Sequence, residues 1–260
     1  MKCLVAALVV LAAAAPAAAQ DETFGFRVRE WYARMSGTAE SQQSGASFSQ
    51  VDLANDLGLG DRSWTPELQA YVRFPLVGRF SAGWWRFHET GSEILTEDVT
   101  FAGETFTVSS QVDSQFTLDV GYLDYEFVFP SIPLGDLAKV EFGVKLGARV
   151  MRGAATITDD TQTAHDNGVF GLPTLGAHAA VRLFDLVRTE VEVVGLVFKY
   201  SNYEVHYLDV FAEATIEPLP FMFVGAGYKV AEVNVQKRGS DSFHVDIGIS
   251  GFYITVGVMF

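Results

Sequence analysis

The sequence predicts a single all-β domain, an antiparallel up-and-down barrel that crosses a membrane with about ten strands. Three observations carry that prediction. Hydrophobic residues make up 49% of the 260 positions and charged residues 19%, below the ~25% charged content of an ordinary soluble domain. Beyond residue 20 there is no apolar run long enough to cross a bilayer as a helix. Apolar and polar residues alternate instead, over segments longer than the ~5–6 residues of an average soluble strand. An aromatic content of 13%, with 21 Phe, excludes a disordered chain. The formal net charge of -14 repels phosphate and argues against a nucleic-acid partner.

The first segment reads as an export signal. Lys2 supplies the positive start, Leu4 to Ala15 the apolar stretch, and Ala17-Ala18-Ala19 the small residues of a cleavage site. Residues 1–19 are therefore expected to be a cleaved leader and residues 20–260 the barrel. Cys3, the single cysteine, lies in the leader, so no disulfide or cysteine chemistry is expected afterwards.

The strands are expected at 24–36, 63–76, 79–92, 106–128, 138–156, 171–184, 187–200, 204–217, 221–236 and 241–260, with eight or twelve strands as the alternatives. The clearest runs from Val140 to Val150. Phe142, Val144, Leu146 and Ala148 share one face, and Glu141, Lys145 and Arg149 the other. Leu68 to Phe74, Leu175 to Leu183 and Leu208 to Ile216 alternate in the same way. In the fourth strand Phe116, Leu118 and Val120 form the apolar face before it moves to Leu123, Tyr125 and Phe127. The last strand slips similarly near Ser250-Gly251, so a bulge or a misplaced strand edge is expected at both points.

One set of connections is short: Leu76-Val77-Gly78, Phe184-Asp185-Leu186, Glu217 to Pro220 and Pro130 to Pro133. The other is longer and polar, notably Gly37–Arg62 and Asp159–Gly168. An even strand count puts both termini with the short turns, the periplasmic side of such barrels. Within the 38–62 loop, Val51 to Leu57 reads as one or two helical turns packed over the mouth. Phe101 to Thr105 reads as a hairpin tip.

The chain ends Phe252-Tyr-Ile254-Thr-Val256-Gly-Val258-Met-Phe260, apolar at every second residue back from a terminal Phe. In this it resembles the small outer-membrane β-barrel proteins of Gram-negative bacteria, the porin-like and OmpA-like barrels. The resemblance implies an outer-membrane location. It also implies contact with outer-membrane lipid and lipopolysaccharide, and handling by the barrel-assembly machinery through the last strand. It implies no particular chemistry, since the class includes channels, enzymes and adhesins.

Charges on the inferred inner face are Glu67, Arg73, Asp119, Glu141, Lys145, Arg149, Arg182, Glu190, Glu192, Asp209 and Glu213. Buried charges must be paired or wet, and ten strands make a narrow barrel, so an ion-paired lumen is expected. Aromatic residues near strand ends, among them Phe74, Phe80, Phe127, Phe129, Phe221 and Phe223 at one end and Trp31, Trp64 and Phe87 at the other, read as interfacial girdles. Trp84-Trp85 is the alternative of a carbohydrate or peptide platform. His206, Asp209, His244 and Asp246 are the weak candidates for a catalytic rim; no metal-ligand or triad spacing supports them. No cofactor or metal is expected. The sequence thus points to a non-enzymatic structural or surface-interaction barrel whose external ligand the sequence leaves open. A narrow porin-like channel and a rim-site hydrolase are the alternatives.

Overall fold

A computed structural model describes residues 23–42, 49–74, 78–135, 137–184, 186–239 and 242–260. The expected leader lies outside the described residues. Among the described residues, fourteen strands follow one another. They are β1 (Phe24–Gln42), β2 (Ser49–Asp52), β3 (Arg62–Phe74), β4 (Gly78–Ile94), β5 (Val99–Phe101), β6 (Glu104–Phe106), β7 (Gln111–Val128), β8 (Ile132–Leu134), β9 (Ala138–Thr158), β10 (Thr163–Leu183), β11 (Val187–Tyr200), β12 (Tyr203–Leu219), β13 (Met222–Lys237) and β14 (Ser242–Met259). Ten of them, β1, β3, β4, β7 and β9 to β14, form one antiparallel barrel. Closure comes from β1 against β14, with Gly25 opposite Met259 and Gln42 opposite Ser242. The short β2 pairs antiparallel with the far end of β1, β8 pairs antiparallel with the start of β9, and β5 pairs with β6 apart from the barrel.

Strands as long as β9 and β10, 21 residues each, exceed the ~9–11 residues that cross a bilayer. The excess lies at the end away from the termini, here the far end. Its consequence is a reversal of polarity along each strand. In the near-end part of β7, Leu123 and Phe127 point outward and are exposed, while Asp124 and Glu126 are buried inside. Farther along, Phe116, Leu118 and Val120 are buried inside, and Thr117 and Asp119 point out. The same exchange occurs in β1, where Arg27 and Arg29 give way inside to Trp31, Ala33 and Met35. In β14 outward Phe252, Ile254 and Val256 give way to inward Ile247 and Ile249. A wall that meets lipid must be apolar outside, and one that meets water on its outside must be apolar inside. The belt therefore ends near Trp84, Gly121 and Val150, and a water-facing extension stands above it.

The apparent slips at Val120 and Ser250 are thus neither bulges nor misplaced edges. Registers through both points run unbroken from Arg79–Glu126 to Ile94–Gln111 and from Gly25–Met259 to Gln42–Ser242. A change of solvent outside the wall produced the pattern.

Strand boundaries also differ from the expectation, at the start of the fourth strand and between β9 and β10. The fourth strand begins at Gln111, because Val99 to Phe106 forms its own hairpin, with Ala102 and Gly103 at positive φ in its tip. The hairpin turns inward, and Leu95, Val99 and Phe106 are buried in the core. Between β9 and β10 the turn is only Asp159–Gln162, closed by the Asp159 carboxylate accepting from the Thr161 and Gln162 N–H groups. Val51 to Leu57 gives β2 and a single helical turn, with Asp56 N–H donating to the Asp52 carbonyl at 2.9 Å. Leu53, Leu57 and Leu59 are buried under it, as a packed loop requires.

Candidate functional site

Two layers fill the interior. Nearer the termini is a charged layer. Arg29 is buried, with Nε 3.0 Å from Glu213 and Nη1 3.0 Å from Glu67. Arg27 reaches Glu190 at 2.8 Å and Glu213 at 3.2 Å. Lys229 donates to Glu67 at 3.0 Å and lies 3.3 Å from Asp209. Across the barrel Arg149 holds both oxygens of Asp124, and Lys145 meets Glu192 at 2.5 Å. His178 bridges Glu126 at 3.0 Å and Glu190 at 3.7 Å, and Arg79 caps Glu126 at the near end. Aromatic rings stack among these charges: Arg29 over Phe211 at 4.5 Å and Arg149 over Tyr122 at 4.9 Å.

Above this layer the interior is apolar. Trp31 and Trp85 stack at 5.5 Å, with the Lys229 ammonium 4.3 Å from the Trp31 ring centre. Met35, Phe87, Phe116, Leu118, Val120, Met151 and Ile249 complete a plug beneath the loop that carries Leu57 and Leu59.

The expected charge network divides on inspection. Glu67, Lys145, Arg149, Glu190, Glu192, Asp209 and Glu213 are buried inside, as their face required. Glu141 is inside with Arg188 at 3.5 Å, and Arg182 pairs with Glu217 at 3.1 Å toward the near end. Arg73 lies opposite Arg79 near the turns. Asp119 is a correction: it is outside, in a two-point pair with Arg86 at 2.7 and 2.9 Å, because it lies beyond the belt. Arg27, Arg29, Arg79, Asp124, Glu126, His178, Arg188 and Lys229 were missed; strict alternation carried through the reversal would have found Asp124, Glu126, Arg27 and Arg29.

Trp31, Phe87 and Phe223 are inside rather than in a girdle, whereas Trp64, at 61% exposed, faces out beside Tyr32. Adjacent strand residues face opposite ways, so Trp84 points out and Trp85 is buried, and the two form no joint platform. The rim candidates do not converge on one point: His206, His244 and Asp246 lie on the outer face around Asn234, and Asp209 lies on the inner face. His206 faces out and bonds Glu204 at 2.9 Å, whereas Asp209 faces in with Tyr207 and Lys229. His244 bonds Asn234 at 2.9 Å, and Asp246 lies in register with Asn234. Lys199 and His206 hold the Glu204 carboxyl down at about 2. No group of three or more His, Cys, Asp or Glu side chains with metal-holding geometry occurs among the described residues. In the last strand Phe252, Ile254 and Val256 face lipid. Val258 is covered, and the Phe260 carbonyl accepts from Thr23 and Phe24 at 2.7 and 3.0 Å.

The wall itself is incomplete at the far end. β3 pairs with β4 from Phe74–Gly78 to Glu67–Trp85 and no farther, and the next residue, Pro66, has no N–H to donate. β10 pairs with β11 only as far as Leu175–Gly195, two residues short of Pro173. Proline is tolerated where a strand has an edge. The two seams separate a jaw of β4, β7, β9 and β10 from one of β11 to β14, β1 and β3. Into the first seam fits the Leu57–Gly58 backbone, directly against Gly91, where a Cβ would collide with it. Beside this contact is a cleft of about 720 Å³ lined by Arg34, Gly60, Asp61, Glu93, Asp113 and Ser114, among others.

No protein-family model matches the sequence, and no curated protein matches it. Solved structures do. The outer-membrane protease OmpT of Escherichia coli aligns over 94% of this chain and 99% of its own, with a TM-score of 0.53 and 10% identity. Neisserial surface protein A aligns over 91% and 97%, at a TM-score of 0.34 and 12% identity. Ail of Yersinia pestis aligns over 92% and 100%, at 0.30 and 8%. Likeness at such identities bears on the fold and not on chemistry, and the two lower scores carry no argument. The fold is that of an outer-membrane β-barrel.

Proposed function

We propose that the protein is a closed, non-conducting barrel of the outer membrane that presents its far-end extension outside the cell as an interaction surface. No catalytic step is assigned to it. The observation that carries this reading is the double filling of the interior. An ion-paired layer from Arg27 to Glu192 lies beneath an apolar plug centred on Trp31, Trp85 and Phe87. Ions crossing would have to displace paired charges and then enter an apolar layer, each costly. The termini and short turns are then periplasmic, lipopolysaccharide meets the outward aromatic residues Tyr32 and Trp64, and β14 is the strand offered to the assembly machinery.

Planar-bilayer recording on the refolded protein tests the reading. Flat traces are expected at voltages where porins give steps. Reproducible unitary conductance would replace it with the channel reading.

A further inference from the structure

We propose that the seam between β10 and β11 takes up an extended segment of another protein as an added β-strand, paired to the open edge of β10. The inference deepens the interaction-surface reading and rests on the far end lying outside the cell.

The β9–β10 hairpin keeps its own ladder to the tip, from Leu183–Ala138 to Thr163–Thr158. Bonded pairs in it fall on the even residues of β10, since Asp159 N–H donates to the Gln162 carbonyl and Phe184 N–H to that of Leu137. The odd residues therefore turn their N–H and C=O toward β11. They are met there from Leu183 to Leu175. At Val169 and Gly171 no described strand receives them. Pro173, with no N–H to offer, stands where the ladder ends. The even residues of β11 serve β12, as Leu186 does in accepting from Glu217 N–H, so Val197 and Lys199 form a second open lip.

The first seam shows what such a gap accepts. There the chain's own Leu57–Gly58 backbone lies against Gly91. No described segment fills the second seam. Its inner face is bare: Gly153 and Gly168 are paired across β9 and β10, and nothing lies within 4 Å of the place a Cβ would take on either. Phe170 next to this notch packs on the apolar plug. On the other lip Phe198 shares the inward face of Glu192 and Val194 and is 40% exposed. Exposed edges are ordinarily blunted by charge or proline, yet Gly168 to Leu172 carries neither.

Unpaired alternate backbone groups beside an apolar notch call for an extended strand with apolar residues inward and polar ones outward, the mode of β-strand addition. A second copy fits this edge less well. Barrels in one membrane cross it in the same direction, so a two-fold axis along the normal sets β10 parallel to its copy, the weaker pairing.

The test titrates fluorescein-Lys-Val-Thr-Phe-Thr-Val-Lys-amide with the full refolded barrel in detergent, read by fluorescence anisotropy against empty micelles. Saturable binding is expected. In antiparallel addition the outward Thr residues bond Val169 and Gly171, so methylating both Thr nitrogens should abolish it. Val169→Pro removes an N–H that the barrel does not use and should weaken binding roughly fivefold or more; Val169→Ala keeps the N–H and should recover it. Heat-dependent gel mobility confirms that each variant is folded, and the methylated peptide carries the test if Val169→Pro is not. Absence of saturable binding, equal binding of the methylated peptide, or equal binding by folded Val169→Pro overturns the proposal. So does a dimer in light scattering that Val169→Pro dissolves, which would make a second copy the occupant. Conductance is read separately: a conducting barrel that still binds the peptide refutes the closed-barrel reading alone, and a silent barrel that binds nothing refutes this inference alone.

Discussion

Arg149→Met should destabilise the barrel strongly, because Asp124 would lose its main partner without regaining water. Arg149 is 3% exposed and Asp124 2% exposed, and the guanidinium reaches both carboxylate oxygens, at 2.5 and 3.2 Å. After the substitution Asp124 keeps only Lys145, 3.9 Å away and itself engaged by Glu192 at 2.5 Å. Breaking a buried pair from one side costs about 3–5 kcal/mol. Loss of the Tyr122 stacking contributes about 1 kcal/mol of that. Methionine retains length and apolar volume, so little of the effect is a cavity. Removing both charges in Arg149→Met/Asp124→Asn should return the protein to within about 1 kcal/mol of the wild type, because desolvation of both groups is relieved together. Equilibrium urea unfolding in lipid vesicles, with m-values held equal, measures all three differences. A single variant within about 1 kcal/mol of the wild type would show a wet lumen, and the ion-paired account would fail.

Three further outcomes follow from other parts of the molecule. The Glu89 carboxyl is raised from 4.5 to about 7, so its contribution to stability is complete below about pH 4.5 and lost as pH rises through about 7; melting of Glu89→Gln should lack that decline, and parallel wild-type and variant profiles would contradict the burial of this group. Gly91→Ala places a methyl against the Leu57–Gly58 backbone and should cost about 1–3 kcal/mol while exposing the loop from Leu53 to Asp61 to protease; unchanged cleavage would mean that the loop is not seated in the seam. Deleting Phe260 removes the carbonyl that receives Thr23 and Phe24 and the ring stacked on Phe24. Membrane levels should fall well below those of Asp160→Ala, and equal levels would show that closure does not depend on the last residue.

Much of the barrel is legible because side-chain alternation survives in every long strand. Val144, Leu146 and Ala148 against Lys145 and Arg149 need no tertiary knowledge, and they end on opposite faces as read. The reversal at the far end was the obscure part. Phe116, Leu118 and Val120 obey the same two-residue period as Tyr122, Asp124 and Glu126, yet the meaning of apolar changes from lipid-facing to core. A single sequence does not mark where the bilayer ends, so a constant inward face resembled a slip. For the same reason Trp31 and Phe87 resembled girdle residues. The cleft was hidden more deeply. Its walls meet because the β3–β4 ladder stops beside Pro66 and Gly58 meets Gly91 from a loop distant in sequence.

The reversal itself is tested most directly by scanning spin labels through β7 in proteoliposomes. Lipid-soluble relaxers should reach positions 121, 123, 125 and 127, water-soluble relaxers positions 117 and 119, and neither should reach 116, 118, 120, 122, 124 or 126. Relaxation of labels at 116, 118 and 120 by the lipid-soluble reagent would place their apolar row in the bilayer, restore a bulge at Val120, and contradict a plugged barrel with a water-facing extension.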